Sequence, residues 1–118
     1  MFIFGREIGL AVTTGSYVQL SNLCPDRDLS KIGQLLAGDD AMDNTFKMAV
    51  IMSQAYESRK ARQEPGYKPA PLTSEELYDI EFTEYLQLVD EVSTAIVEGL
   101  KTHVNNKPAK GSKKNNAK

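Results

Sequence analysis

The chain has 118 residues, with 14 Lys and Arg, 16 Asp and Glu, and one residue each of His and Cys. This length fits one small domain, and the net charge of −2 gives no reason to expect a general nucleic-acid binder. One Cys cannot form an internal disulfide, and with one His it leaves too few ligands for an ordinary zinc site. The apolar start is interrupted at Gly5-Arg6-Glu7, too early for a signal peptide. No apolar run reaches the roughly 20 residues of a membrane helix, so we expect a soluble, intracellular protein.

Charge is distributed unevenly along the chain. Residues 104–118 hold five lysines and no acid, so they carry +5 and residues 1–103 carry −7. The same segment has only three apolar residues, too few to offset the entropy lost on ordering it. We therefore expect one folded domain over residues 1–103, followed by a disordered basic tail over residues 104–118.

The first dozen residues predict a β-hairpin. Phe2 and Phe4 alternate with other residues, as do Ile8 and Leu10, and residues 5–7 between them form a short turn with a glycine. A three-residue turn would pair Phe4 with Ile8 and Phe2 with Leu10, which makes one face continuously apolar. Because two strands alone are marginally stable, this face must pack on helices or pair with another chain.

Helical periodicity dominates the following 50 or so residues. A first helix is predicted over residues 16–23 and ends before Pro25. Asp28 is a good N-cap for a second helix, and Gly38 is its natural end. A long helix is predicted over about residues 41–62, with acidic residues before it and basic residues in its last turn.

A proline-rich connector separates the long helix from the rest of the domain. Residues 64–72 contain three prolines and are expected to be extended. Thr73 and Glu76 form a capping box that starts another helix, and a last helix with one apolar face follows over about residues 82–103. The predicted fold class is mainly α: a short N-terminal hairpin, four to five helices and the disordered lysine-rich tail.

Motifs that would carry catalysis are missing from the sequence. His103 lies at the end of the last predicted helix, and Cys24 has no basic neighbour that would activate its thiol. There is no glycine-rich phosphate loop and no nucleophile elbow. Asp39, Asp40 and Asp43 lack the spacing of a calcium loop and are interpreted as acids at a helix N-terminus. We expect no enzymatic activity, no cofactor and no metal site.

Candidate partner contacts come from the surplus of apolar residues. The long helix is apolar around well over a third of its circumference, so it is central in the fold or covered by a partner on a second face. Methionine adapts to irregular apolar surfaces, although a methionine stripe is more often core. We select Met48, Met52 and Tyr56 on this helix, with Phe2 and Phe4 on the hairpin, as candidate partner-binding residues.

Four segments carry a family resemblance. FIFGREIGLAVTTG, LCPDRDLSKIGQLLAG, EPGYKPAPLT and the polar lysine-rich end occur in this order. Together they resemble the small tail assembly chaperones of long-tailed phages and prophages of Gram-positive bacteria. The similarity is best over residues 2–73 and looser over the last helix. These segments are structural and transfer no contact residue.

The resemblance implies a non-enzymatic role. Such chaperones bind the long helical tape-measure protein, keep it soluble and assist assembly of the tail tube around it. They act in the bacterial host cytoplasm and are not expected in the mature virion. A homo-oligomer and a contact with the tail tube protein are also implied, and no membrane is involved.

Two other functions remain open at this point. A structural tail or head–tail joining protein would share the small size but would stay in the virion. A nucleic-acid-binding regulator would use the basic tail. The tail contains no Arg and no aromatic residue, which argues against base reading or stacking.

Overall fold

The computed structural model describes the backbone of residues 1–105 and the side chains of residues 1–101. Mainly helical architecture with an N-terminal hairpin and five helices confirms the predicted fold class. The elements are β1 (Phe2–Ile3), β2 (Arg6–Glu7), α1 (Thr14–Leu23), α2 (Ile32–Ala37), α3 (Ala41–Gln63), α4 (Ser74–Leu77) and α5 (Phe82–Asn105), with 3-10 turns at Pro25–Arg27 and Leu29–Lys31. Helix α5 extends to the second residue of the segment predicted as a disordered tail; residues 106–118 lie outside the described residues.

The hairpin exists, but its predicted register is wrong. Phe2 pairs with Glu7 and Ile3 pairs with Arg6, so the turn consists of Phe4 and Gly5. Both turn residues have positive φ, 51° and 79°, as a two-residue hairpin turn that matches strand twist requires. In this register Ile3 is fully buried, and Phe2 and Phe4 point away from the core.

Local capping signals place the helices. A capping box of Thr13 and Ser16 starts α1, two residues before the predicted position. The Asp28 carboxylate accepts the Ser30 backbone N–H at 3.0 Å and opens the turn that leads into α2. Gly38 follows α2, and the predicted capping box of Thr73 and Glu76 starts α4. These side chains satisfy backbone N–H groups that have no partner within the helix.

Helix α3 is central, with α1, α2, α4 and α5 packed around it. It runs parallel to α5: Phe46 near its start contacts Tyr85, and Arg59 near its end lines the same groove as Glu98. The acidic first turns of the two helices therefore meet at one end of the molecule. The buried apolar core consists of Ile3, Leu20, Cys24, Leu29, Ile32, Phe46, Met48, Ala49, Met52, Leu72, Leu77, Leu88, Val92 and Ile96.

The proline-rich connector is fastened to α3 by buried polar groups. Glu57 Oε1 accepts the Tyr67 hydroxyl at 2.5 Å and the Ala70 backbone N–H at 2.8 Å. One turn earlier, Ser53 Oγ accepts the Leu72 backbone N–H at 2.8 Å. Because prolines leave an extended segment without helix or sheet partners, these side chains supply its hydrogen bonds. We call Glu57, Ser53 and the groups that they bind the connector anchor.

Arg6 links the hairpin to the same region. Its guanidinium donates to the Ala70 carbonyl at 2.6 Å and forms a 3.0 Å ion pair with Glu76. A planar guanidinium is suited to contacting two acceptors at once. The first and third quarters of the chain are therefore joined through one side chain.

Candidate functional site

The five residues selected from sequence do not form one surface. Met48 and Met52 have no exposed area, because α1, α2 and α5 enclose the central helix. They belong to the core, the alternative that the sequence left open for methionines. Phe2 and Phe4 are each 61% exposed and present apolar area at the hairpin. Tyr56 is half-buried and separate from both groups.

Tyr56 packs against the backbone at Gly9. A β-carbon built at Gly9 would lie 2.4 Å from the Tyr56 ring, so only glycine allows this approach. The Ala11 backbone N–H donates to the Met52 carbonyl at 3.1 Å in the same region. Tyr56 therefore helps to hold the segment between hairpin and α1 on α3, which is a structural role.

A second exposed apolar surface consists of residues that were not among the five candidates from the sequence. Met42 on α3, Tyr78 after α4, and Phe82 and Leu86 on α5 are between 40% and 63% exposed. A pocket of about 130 Å³ lies among the first three of them. We call these four residues the aromatic patch. The pocket is also lined by Phe46, Leu77, Ile80 and Tyr85.

Ring contacts hold the aromatic patch in shape. The buried Phe46 ring meets Tyr78 at a centroid distance of 5.0 Å and Tyr85 at 5.9 Å, both edge to face. Phe82 lies 5.6 Å from Tyr85. Edge-to-face pairs at such distances are favourable arrangements of aromatic rings. The patch is thus preorganised by a buried residue beneath it.

A hydrogen bond joins the patch to the start of α3. The Tyr78 hydroxyl donates to Asp43 Oδ1 at 2.5 Å. This bond, with partial burial and the charge of Asp43, raises the pKa of Tyr78, so the phenol stays protonated and remains a donor. The exposed Tyr78 ring is therefore held in a fixed position.

Acidic residues are concentrated in the two segments that form the aromatic patch. Residues 39–46 and 75–86, which contribute all four patch residues, contain eight acids and no Lys or Arg. Glu76 is paired with Arg6, as described above. We define the acidic rim as five of the other carboxylates, each within three residues of a patch residue in sequence: Asp43, Glu75, Asp79, Glu81 and Glu84. An apolar centre with a charged border is typical of a partner-binding surface.

A groove lies at the other end of the helices. It has a volume of about 560 Å³ between the segment 10–14 and the last described turns of α5. Gly99 permits the close approach, because a β-carbon there would lie 2.5 Å from Val12. Among the described residues that line it, Arg59 and Glu98 are charged.

Reactive and metal-binding groups are not brought together within residues 1–101. No cluster of three His, Cys, Asp or Glu side chains in this part of the chain could hold a metal ion. Cys24 is buried, its thiol lies 3.4 Å from the Leu20 carbonyl, and burial together with the charge of Asp28 raises its pKa. The side chain of His103 lies outside the described residues.

No protein-family model, curated protein or solved structure matches the chain. Among the helices that the structure describes, none has both the length and the apolar character needed to cross a membrane.

Proposed function

We propose that this protein is a phage tail assembly chaperone, a non-enzymatic protein that binds the tape-measure protein and keeps it soluble while the tail tube assembles. The observation that supports this most directly is the aromatic patch. Four large apolar side chains stay exposed on a domain of about 100 residues, and three of them line one pocket. Contiguous exposed apolar surface on a small domain is typical of a site for a protein partner.

The shape of the patch fits a helical client. An amphipathic helix presents apolar residues at i, i+3, i+4 and i+7, and these insert into an apolar groove. Phe82, which lines the pocket, and Leu86, one turn further on α5, offer a short apolar ridge for part of such a stripe. The tape-measure protein expected from the sequence resemblance is long, helical and apolar, so it supplies such stripes repeatedly.

Self-association is part of the proposal. The exposed Phe2 and Phe4 on the hairpin give each copy a second apolar contact. In this arrangement copies associate through the hairpin while the patch remains open for the client. The chaperone acts in the host cytoplasm and leaves before the virion is complete, with the tail tube protein as its neighbour during assembly.

Co-expression with the tape-measure protein tests the proposal. The wild-type chaperone is expected to raise the soluble fraction of the tape-measure protein, and the double variant Phe82→Ser/Leu86→Ser is expected to lose this effect. Val18→Ser is the matched control, because Val18 on α1 is as exposed as Leu86, at 52%. An unchanged soluble fraction with the wild-type protein contradicts the proposal.

Mass spectrometry of purified virions tests the location. The chaperone is expected to be missing from them or far below the amount of the tube protein. A stoichiometric amount in the virion would instead indicate the structural tail or head–tail joining protein.

A further inference from the structure

The acidic rim places negative charge near the residues of the aromatic patch. In residues 1–101, none of the five rim carboxylates forms an ion pair with Lys or Arg. Lys47, one turn beyond Asp43 on α3, is the nearest cation in sequence and is not in salt-bridge contact with it. A partner that covers the patch must therefore face these charges.

Two of the rim carboxylates also support the fold. Asp43 accepts the Tyr78 hydroxyl, and Glu84 Oε1 accepts the Glu81 backbone N–H at 2.8 Å at the start of α5. The side chains of Glu75, Asp79 and Glu81 make no hydrogen bond or ion pair within the described side chains. Their charge favours the positive helix N-termini, but their oxygens stay free to bind a partner.

These three carboxylates lie near the exposed rings of Tyr78 and Phe82 in the sequence. Glu75 lies one turn before Tyr78, where side chains of a helix are neighbours, and Asp79 directly follows Tyr78. Glu81 directly precedes Phe82 on α5. An apolar helix face seated on Tyr78 and Phe82 would place its own flanking residues opposite these acids.

We infer that the aromatic patch binds an amphipathic helix whose apolar stripe is bordered by Lys or Arg, and that it rejects an equally apolar helix bordered by acids. The inference rests on the proposed function and specifies the chemistry of its client segments. Apolar contact supplies affinity, whereas the charges at the border decide between clients and accelerate encounter. Like charges placed opposite the rim would be repelled.

The basic tail of this chain is a weaker match to the same surface. Residues 104–118 carry the correct charge, but their only apolar residues are Val104, Ala109 and Ala117. Such a segment could face the rim but would leave the 130 Å³ pocket and the exposed rings without an apolar side chain of sufficient size. The tail is therefore included in the experiment as a competing occupant.

Fluorescence anisotropy with the full-length protein and labelled peptides tests the inference. Two peptides of about 18 residues, long enough for several helical turns, share one leucine stripe and differ only in borders of Lys or Glu. The Lys-bordered peptide is expected to bind at least about tenfold more tightly at low salt, since several exposed pairs of modest strength add up. This advantage should shrink at about 0.5 M salt, where charges are screened within a few ångströms. Equal affinities, or tighter binding of the Glu-bordered peptide, would overturn the inference.

Variants locate the binding to the patch. Phe82→Ser/Leu86→Ser should abolish binding of the Lys-bordered peptide, and E75K/D79K should weaken it by about fivefold or more through reversed charge. E64K/E91K changes the net charge equally at exposed acids away from the patch and should leave the affinity unchanged. Equal weakening by both charge-reversal variants would mean that net charge, not the rim, attracts the peptide, and would refute the assignment. Circular dichroism confirms that each variant is folded.

A third peptide covers residues 104–118 of this chain. It is expected to bind far more weakly than the Lys-bordered helix; affinity equal to that of the helix, lost in Phe82→Ser/Leu86→Ser, would identify the tail as the occupant and overturn the inference. The two proposals fail separately. A protein that solubilises the tape-measure protein but does not distinguish the peptides contradicts only the border chemistry. Selective peptide binding without solubilisation contradicts only the chaperone function.

Discussion

Two tyrosine–carboxylate pairs lie at opposite ends of α3, and the fold treats them differently. Tyr67 donates to Glu57 and Tyr78 donates to Asp43, each at 2.5 Å. In the first pair, Glu57 is only 7% exposed and also accepts the Ala70 N–H of the connector. In the second pair, Tyr78 is 61% exposed, and Asp43 accepts no other hydrogen bond from the described residues. The same chemical pair therefore closes the fold at one end and holds apolar rings open to a partner at the other.

Replacing each carboxylate by alanine should give the largest difference in unfolding free energy between the two pairs. Glu57→Ala should cost about 3 kcal/mol of unfolding free energy, because the partly buried hydrogen bonds from the Tyr67 hydroxyl and the Ala70 N–H lose their acceptor. Asp43→Ala should cost less than about 1 kcal/mol, since water can replace the acceptor of an exposed phenol. Urea denaturation of both variants measures the difference. Equal losses would mean that the two ends of α3 are not distinct.

Substitution of Gly9 tests how tightly the segment after the hairpin is packed against Tyr56 on α3. Gly9→Ala should cost about 2 kcal/mol, because its β-carbon would overlap the Tyr56 ring. Gly33→Ala is the control: it lies inside α2 with open space around it and should stabilise the protein by up to about 1 kcal/mol. Thermal unfolding compares the two variants with wild type. A neutral Gly9→Ala would show that Tyr56 moves aside at little cost.

The hairpin turn is exposed, and its backbone conformation at Phe4 is energetically unfavourable. Phe4 has a φ of 51°, in a region that an aromatic residue seldom adopts, and its side chain gains no burial there. Phe4→Asn should stabilise the protein by up to about 1 kcal/mol, because Asn-Gly is a preferred sequence for this turn. Chemical denaturation measures the gain, with Phe2→Asn as the control at the neighbouring exposed phenylalanine. Destabilisation by Phe4→Asn would mean that the aromatic ring contributes to the fold.

The hydrogen-bonded pair of Tyr67 and Glu57 also predicts that the free energy of unfolding depends on pH. Burial raises the pKa of Glu57, but the hydrogen bonds from Tyr67 and Ala70 and the charges of Lys60 and Arg6 outweigh it, so this pKa lies below its ordinary value of 4.5. The stability from Glu57 is therefore complete above pH 4.5 and is lost as the pH falls through the lowered value. The hydrogen bond to Glu57 raises the pKa of Tyr67 to about 12, so its contribution is complete below pH 10.0 and is lost as the pH rises through about 12.

Glu57→Gln tests the loss of stability that is predicted at low pH. The amide oxygen can still accept both hydrogen bonds but does not titrate in this range, so the loss of stability between about pH 6 and pH 3 should be shallower than in wild type. Glu64→Gln, at an exposed acid just beyond α3, should retain the wild-type slope. Unfolding free energies across this range decide the matter, and parallel slopes for Glu57→Gln and wild type would contradict the assignment.

Features that depend on local sequence were predicted well. The caps at Asp28 and Thr73 and the end at Gly38 follow from hydrogen bonds between near neighbours, so the helices lie close to their expected positions. The hairpin register was wrong because Phe-Gly is not an ordinary two-residue turn, and nothing local indicates a positive φ at Phe4.

The exposed surfaces could not be predicted because they depend on long-range packing. The apolar face of α5 is wider than the surface that α3 covers, which leaves Phe82 and Leu86 outside. Met48 and Met52 are enclosed for the opposite reason, since neighbours surround α3. One sequence signal did point to the patch: acids at positions 79, 81 and 84 interrupt a run of large apolar residues where the last helix begins.

The double contact of Arg6 has a consequence for the order of events during synthesis. Its ion-pair partner Glu76 lies 70 residues later in the chain, so the ribosome must add all of these residues before the guanidinium can be fully engaged. At typical translation rates this takes about 4 to 14 s. The hairpin is thus made first but secured late, and Ile3, which is fully buried in the folded protein, lacks this support during that interval.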